Sequence, residues 1–485
     1  MQKQIKFIII FLVAVNLNCK SQNPVFTDEF KENIHARVDN DIITGIVIGV
    51  VTPEGTSYYS YGVKSYETKE PVNENTIFEI GSNSKAFTGL LLANEVVKGE
   101  LNVNDPVQKF LPEGYTSPTR NGEEIKLIHL TTHTSSLPRV PKYVNRNNPN
   151  GQYADLTNEQ VYKSIDNYEL KHDIGAHWEY SNLGAGLLGL IIAEKNNTDY
   201  EKLVVNEICT PLDMNDTRIM CTEDMEKRAA TGHSMGLEVD KFYLPAIAGA
   251  GALRSTAVDM IKFLKANLGL EKTDLDNAIQ LSHKNTGFGN DRLSMGLGWI
   301  IMDVEGEEII WHDGGTHGQM SFMGINKSRN MGVVVLTNST GFPDDIGFHL
   351  LNPKYELANP KPSIVTQLNT VITKEGLESA KKILIDIKTN QPDKYSFNSE
   401  ELARAGYYYL YKDKIEEAHF IFKINVEANP EDWNANDCYG EVLLKKGNKE
   451  EAIEYYKRSV ELNPDNTAGI DILKKLRVEI ESSEY

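Results

Sequence analysis

The apolar positions of this chain change period along its length. Runs of strand length, rich in β-branched and aromatic residues, stand near the start of the first part: Ile46 to Val51 and Tyr58 to Tyr61. More of them close it: Trp299 to Met302, Ile309 to His312, Met320 to Gly324 and Val333 to Thr337. Short spacers with turn residues separate them, so they read as an N-terminal hairpin and a closing set of strands. Between these groups the apolar residues recur at helical spacing, as in Phe87, Leu90, Leu91, Val96 and Val97, or run continuously from Leu187 to Ala193. Strands first and last with helices between predict an α/β (α+β) fold: an antiparallel sheet flanked by helices, plus a helical lobe.

Beyond about residue 350 the pattern becomes purely helical. Pro353, Pro360 and Pro362 mark Asn352 to Pro362 as a linker. Gly406, Glu417, Ala418, Phe422, Asn429 and Pro430 then recur 34 residues later as Gly440, Glu451, Ala452, Tyr456, Asn463 and Pro464. That is the period of tetratricopeptide repeats. The small residues let two helices approach, the aromatic fills the gap, and proline ends the second helix. A degenerate third unit is expected at Val371 to Lys388, around Gly376, Ala380 and Ile383. Two repeats seldom suffice for stability, so these helices should dock on the first domain or on further helices. The expected boundaries are 1–19 for a signal peptide, 24–350 for the first domain, 351–395 for a linker and helical connection, and 396–480 for the repeats.

At the N-terminus, Lys3 and Lys6 precede the apolar stretch Phe7 to Val15, which is too short to span a bilayer and reads as an export signal. Cys19 stands where a lipoprotein signal would be cut and acylated, although Asn16 and Asn18 depart from that pattern. The expected location is periplasmic or cell-envelope, on a membrane surface through a lipid anchor at Cys19, or otherwise secreted. Cys209, Cys221 and Cys438 are odd in number and scattered, which is no disulfide framework; pairing of Cys209 with Cys221 stays open. The net charge of −19 argues against nucleic acid as a partner.

Candidate chemistry begins at Ser82-Asn83-Ser84-Lys85, which opens the helical pattern of Phe87 to Val97. Residues three apart share a helix face, so Lys85 can reach back to the Ser82 hydroxyl. A serine is a poor nucleophile until a neighbouring base takes its proton. Two further motifs follow in order: Tyr180-Ser181-Asn182 before the Leu187 to Ala193 run, and His312-Asp313-Gly314 between two strand-like runs. His129 and His133, four apart, lack the glutamate and the third ligand of a zinc site, so no metal or other cofactor is expected.

With these three motifs the chain resembles the serine β-lactamase and penicillin-binding superfamily, in particular its class C β-lactamase branch, which also holds D-alanyl peptidases, D-amino-acid amidases and esterases. The likeness spans about residues 30 to 345 and includes Leu130 to Pro138, Pro211 to Thr217 and Gly249 to Ser255. The resemblance implies a site between sheet and helical lobe. It makes Ser82 the nucleophile of an acyl-enzyme and pairs Lys85 with Tyr180 as the base system. A nearby ammonium would favour the Tyr180 phenolate, and which of the two takes the proton stays open. Asn182 would orient Lys85 and a substrate amide; His312, Gly314 and Gly315 would line the substrate and oxyanion side, with the backbone N–H groups of Ser82 and Gly315 as the oxyanion hole.

Two departures from the family pattern matter. His312-Asp313-Gly314 stands where class C β-lactamases mostly carry Lys-Thr-Gly, which removes a cation and adds a negative charge. Ser136 replaces the glycine usual in the Thr-Ser-Gly-Leu-Pro signature. The expected activity is an exported serine hydrolase that cleaves a β-lactam, a D-amino-acid peptide or an ester. The alternative is a penicillin-binding-type sensor with little turnover, its repeats contacting a protein partner.

Overall fold

The computed structural model describes residues 25–483 apart from 146, 147, 149, 150 and 342. The expected signal segment and Cys19 lie outside the described residues. Seven strands build one antiparallel sheet. β1 (Gly45–Thr52) and β2 (Gly55–Gly62) form the first hairpin. β3 (Ser294–Met295), β4 (Ile300–Val304), β5 (Glu307–Gly315), β6 (Met320–Asn326) and β7 (Met331–Thr337) complete the sheet in the spatial order β2-β1-β7-β6-β5-β4-β3. The two ends of the domain therefore meet inside the sheet, where Ile46 faces Thr337 and Val50 faces Val333.

β1 and β7 are covered on both faces, which is why they read as continuous apolar runs rather than as alternation. The period of two sorts their side chains into two cores. Val47, Val334 and Leu336 pack with Phe263 and Leu264 of α4, while Ile46, Ile48, Val333 and Val335 pack with Phe30 and Ile34 of α1 and Phe348 and Leu351 of α5. Here α1 is Asp28–Asp39, α4 is Ala257–Leu268 and α5 is Asp344–Leu351. Two further helices set the site. α2 (Ser84–Val97) is buried from Ser84 through Glu95, and α3 (Asn182–Lys195) from Leu183 through Ala193. A helix apolar all round belongs in the interior. Gly89 makes the close approach possible: a Cβ there would sit 1.9 Å from the Leu297 carbonyl oxygen.

The C-terminal region is a stack of helical hairpins: α6 (Ile364–Glu375), α7 (Leu377–Asn390), α8 (Ser399–Tyr411), α9 (Ile415–Ala428), α10 (Trp433–Lys445), α11 (Lys449–Leu462) and α12 (Thr467–Ser483). The repeat has a physical cause. A Cβ on Gly406 would lie 2.3 Å from the Phe422 ring, and one on Gly440 would lie 3.0 Å from the Tyr456 ring. The α6–α7 hairpin shares a core with the repeats through Ile364, Leu368, Ala380 and Leu384. The stack docks on the first domain at Met235, whose side chain packs on that core and whose carbonyl accepts from Asn369 Nδ2 at 3.0 Å.

Cys209, Cys221 and Cys438 are free thiols, the first and last buried. Burial pushes both buried thiols up to about 12. Since the thiolate is the reactive form, iodoacetamide should label Cys221 well before Cys209 and Cys438 in the native protein. Peptide mapping after short exposure checks this; equal labelling of all three would contradict the burial.

Candidate active site

Ser82 sits in a single 3₁₀ turn, Gly81–Asn83, that leads directly into α2. Every neighbour of that turn is anchored. Ile80 N–H donates to the Leu253 carbonyl at 3.0 Å, Leu253 N–H to Ser84 Oγ at 3.1 Å, and Asn83 Nδ2 to Ser321 Oγ at 2.7 Å. Ser321 Oγ in turn donates to the Ile80 carbonyl at 2.8 Å. Gly81 adopts φ +49, in the left-handed region, and a Cβ there would lie 2.7 Å from Gly315 N. Gly314 is tighter still, since its Cβ would lie 2.0 Å from the Ile80 carbonyl oxygen. These two glycines seat the end of β5 against the Ser82 turn. Ser82 itself stays partly open to solvent.

Lys85, the second residue of α2 and one turn on from Ser82, is almost fully buried. Its Nζ lies 3.0 Å from Ser82 Oγ, 2.9 Å from Asn182 Oδ1 and 2.6 Å from the Ala250 carbonyl oxygen. Two of these partners can only accept. A neutral amine has two N–H donors and one lone pair. With both N–H bonds given to Asn182 and Ala250, the lone pair faces the Ser82 hydroxyl and can take its proton. Burial holds Lys85 well below the usual lysine range; Asp313 opposes that shift and Arg139 adds to it.

Tyr180 completes the group. Its ring centroid is 4.7 Å from Lys85 Nζ. Burial pushes the phenol up, outweighing the opposing pull of the Ser82 hydroxyl and of Arg139. The sequence suggested that a neighbouring ammonium would favour the phenolate. Desolvation reverses this: it disfavours both charged forms, the ammonium as well as the phenolate.

Asn182 owes its position to a helix cap. Ser181 Oγ accepts from Gly184 N–H at 2.9 Å, which starts α3 and turns the Asn182 amide toward Lys85. Beneath it, His133 packs against the Tyr180 ring with centroids 4.4 Å apart and the planes tilted by 35°, and its Nδ1 accepts from Ser181 N–H at 3.2 Å. His129 Nδ1 is likewise taken by Lys126 N–H, at 3.1 Å. Among the described residues no group of three or more His, Cys, Asp or Glu side chains could hold a metal ion. Ser136 has φ +59, in the region where glycine is the easy choice, and its Oγ accepts from His172 N–H at 2.9 Å.

His312 is buried on β5, with its ring 6.3 Å from that of Tyr180. Its Nδ1 lies 2.5 Å from the Asp313 carbonyl oxygen, which makes Nδ1 the protonated nitrogen. Nε2 is then an acceptor and has no partner among the described residues. Burial brings His312 down to about 4, so the strand offers a neutral acceptor at neutral pH. Asp313 lies at the boundary between this site and α5, where burial, Asp313 and Asp345 push Asp344 up to about 8. Sequence reasoning missed three contributors: the Ala250 carbonyl, Arg139 and Asp344. Ala250 and Arg139 lie within or beside segments already resembling the family, but nothing in their spacing aims them at Lys85 or Tyr180.

The beta-lactamase family matches residues 30–350, and a tetratricopeptide repeat matches residues 433–466. Protein flp of Staphylococcus aureus (strain N315) is 28% identical over 360 residues, spanning 71% of this chain and 67% of its own. The D-alanyl-D-alanine-carboxypeptidase/endopeptidase AmpH of Escherichia coli (strain K12) is 28% identical over 359 residues, spanning 70% and 92%. The solved beta-lactamase/D-alanine carboxypeptidase from Pseudomonas syringae shares the fold with a TM-score of 0.58 at 23% identity, over 66% of this chain and 95% of that one. By the extent of the family match, over a domain whose sheet, Ser82 turn and flanking helices have just been described, this chain belongs to the beta-lactamase family.

Proposed function

We propose that the chain hydrolyses an amide or ester through an acyl-enzyme on Ser82. The observation that carries this reading is the Lys85 amine, 3.0 Å from Ser82 Oγ with its other two directions held by acceptors. Ser82 Oγ attacks the carbonyl carbon as its proton passes to Lys85 Nζ. The N–H groups of Ser82 and Gly315, brought together by Gly81 and Gly314, suit the oxyanion that develops. The C–N or C–O bond then breaks, and the leaving group takes a proton relayed from Lys85 through Tyr180. Water attacks the acyl-enzyme by the same base and frees the acid.

A D-amino-acid peptide, a β-lactam or a simple ester fits this chemistry, and the named relatives favour the first two. Neutral His312 and acidic Asp313 disfavour a substrate that sets its carboxylate against β5. The test is steady-state hydrolysis of a p-nitrophenyl ester by the wild type and Ser82→Ala. Many turnovers lost in the variant support the reading and remove the sensor alternative; equal rates would sink it. The rate should also rise with pH through an ionisation well below the usual lysine range, because protonated Lys85 cannot accept the Ser82 proton. A pH–rate profile whose ascending limb sits at the ordinary lysine value would contradict a buried amine as the base.

The same reading places the enzyme in the cell envelope, exported by its N-terminal segment and anchored by acylated Cys19, with its repeats available to a protein partner. Loss of membrane fractionation in Cys19→Ala checks the anchor; a variant that stays on the membrane argues against Cys19, and a wild type found in the soluble fraction argues for plain secretion.

A further inference from the structure

One charged side chain stands at the mouth of the site without a partner. Arg139 is exposed, and among the described residues its guanidinium meets no hydrogen-bonding or ion-pairing group. Its Cζ nevertheless lies 5.0 Å from the centroid of the Tyr180 ring. The backbone beneath it is fixed. The Arg139 carbonyl accepts from Asn182 N–H at 2.9 Å and from Leu183 N–H at 3.3 Å, and Ser181 Oγ donates to the Pro138 carbonyl at 2.8 Å. The residue is thus tied to the same helix start that aims Asn182 at Lys85.

Among the described residues no other cation at this centre is free to meet a substrate. Lys85 is enclosed, with all three directions of its amine occupied. His312 is neutral above about 4. The charges that Lys85 feels have opposite signs, Asp313 raising its affinity for a proton and Arg139 lowering it. The site is therefore polarised, acidic on the β5 wall and basic on the wall that carries Tyr180 and Asn182. In a chain of net charge −19, a guanidinium free of ion pairs among the described residues and beside the Tyr180 ring is a local attractor for anions.

We propose that Arg139 is a specificity-determining residue that binds a carboxylate of the substrate. The planar guanidinium suits a two-pronged bond to a carboxylate, which a lysine cannot copy. The family's strand cation is missing here, and this assignment moves anion recognition to the opposite wall. The proposal rests on Ser82 being the reacting centre.

Two matched pairs of p-nitrophenyl-type esters test it, one carrying a carboxylate or its carboxamide on the acyl part, the other on the leaving group. The wild type should prefer the carboxylate member of at least one pair, mainly through KM. Arg139→Gln should cut that preference, read as the ratio of kcat/KM values, by about tenfold or more. Arg139→Lys should restore only part of it. An unchanged ratio, or no preference in the wild type, overturns the proposal. An equal fall in kcat for both members with a displaced pH profile also overturns it, making Arg139 a positioning partner of Tyr180. Calorimetric binding of an N-acetylated D-alanyl dipeptide and its C-terminal carboxamide, and of N-succinyl- and N-acetyl-D-alaninamide, to Ser82→Ala, with and without Arg139→Gln, reads recognition without turnover. Failure of the Ser82 reading would show as absent hydrolysis with this binding difference intact; failure of the Arg139 reading removes the difference itself.

Discussion

Lys85→Met should lower kcat/KM by about 10⁴-fold, the scale on which removal of a nucleophile's activating partner acts. Methionine nearly fills the volume of the lysine stem but cannot accept the Ser82 proton. It also leaves Asn182 Oδ1 and the Ala250 carbonyl without their donor, a cost of about 1–3 kcal/mol for buried polar groups. An opposing term depends on pH. Burial lowers the folded-state affinity of Lys85 for a proton, so between that lowered value and the ordinary lysine value the unfolded chain binds the extra proton. Wild-type stability should therefore fall as pH drops through this window, and Lys85→Met should lack that component of the slope. Steady-state kinetics, and urea unfolding followed against pH downward from the ordinary lysine value, check both halves. A variant retaining a tenth of wild-type activity would contradict Lys85 as the base.

Gly314→Ala should be nearly as damaging, by geometry alone. The added carbon would sit 2.0 Å from the Ile80 carbonyl oxygen and 2.6 Å from Ser321 Oγ. Those two atoms are hydrogen-bonded to each other, and Ser321 also holds Asn83, so the strand must move away from the nucleophile turn. Movement carries Gly315 N–H away from Ser82 and loosens the oxyanion pair. The expected loss is about 10²–10³ in kcat, as for removal of one oxyanion donor, with about 1–3 kcal/mol of destabilisation from overpacking. Gly306→Ala is the control: it lies in the β4–β5 turn with φ +83 and no atom near its absent Cβ, so it should cost strain but not rate. Equal kcat in the two variants would remove the oxyanion role from this contact.

Much of the site could be read from local sequence because its chemistry is local. Ser82 and Lys85 are one helical turn apart, and Ser181 caps the helix that aims Asn182. Six of the seven strands of the sheet, all but the two-residue edge strand Ser294–Met295, and the 34-residue spacing of Gly406 and Gly440, also follow from short-range pattern and packing. What could not be read depends on distant segments. The Ala250 carbonyl reaches Lys85 across 165 residues. Arg139 reaches Tyr180 only because its carbonyl closes on the start of α3. The ionisation of Tyr180 was misjudged for the same reason: the adjacent cation is visible in sequence, whereas the burial that overrides it exists only in the fold. Ser136 shows the converse, a departure from the family glycine that the fold accommodates at positive φ with a hydrogen bond to His172.

The most direct measurement is the intact mass of the protein during turnover of an activated ester, quenched in acid, with the adduct located by peptide fragmentation. One acyl group on the peptide that carries Ser82, absent from Ser82→Ala and decaying as substrate is exhausted, is the expected result. Turnover without a covalent adduct, or an adduct that maps elsewhere and survives in Ser82→Ala, would contradict the acyl-enzyme at Ser82.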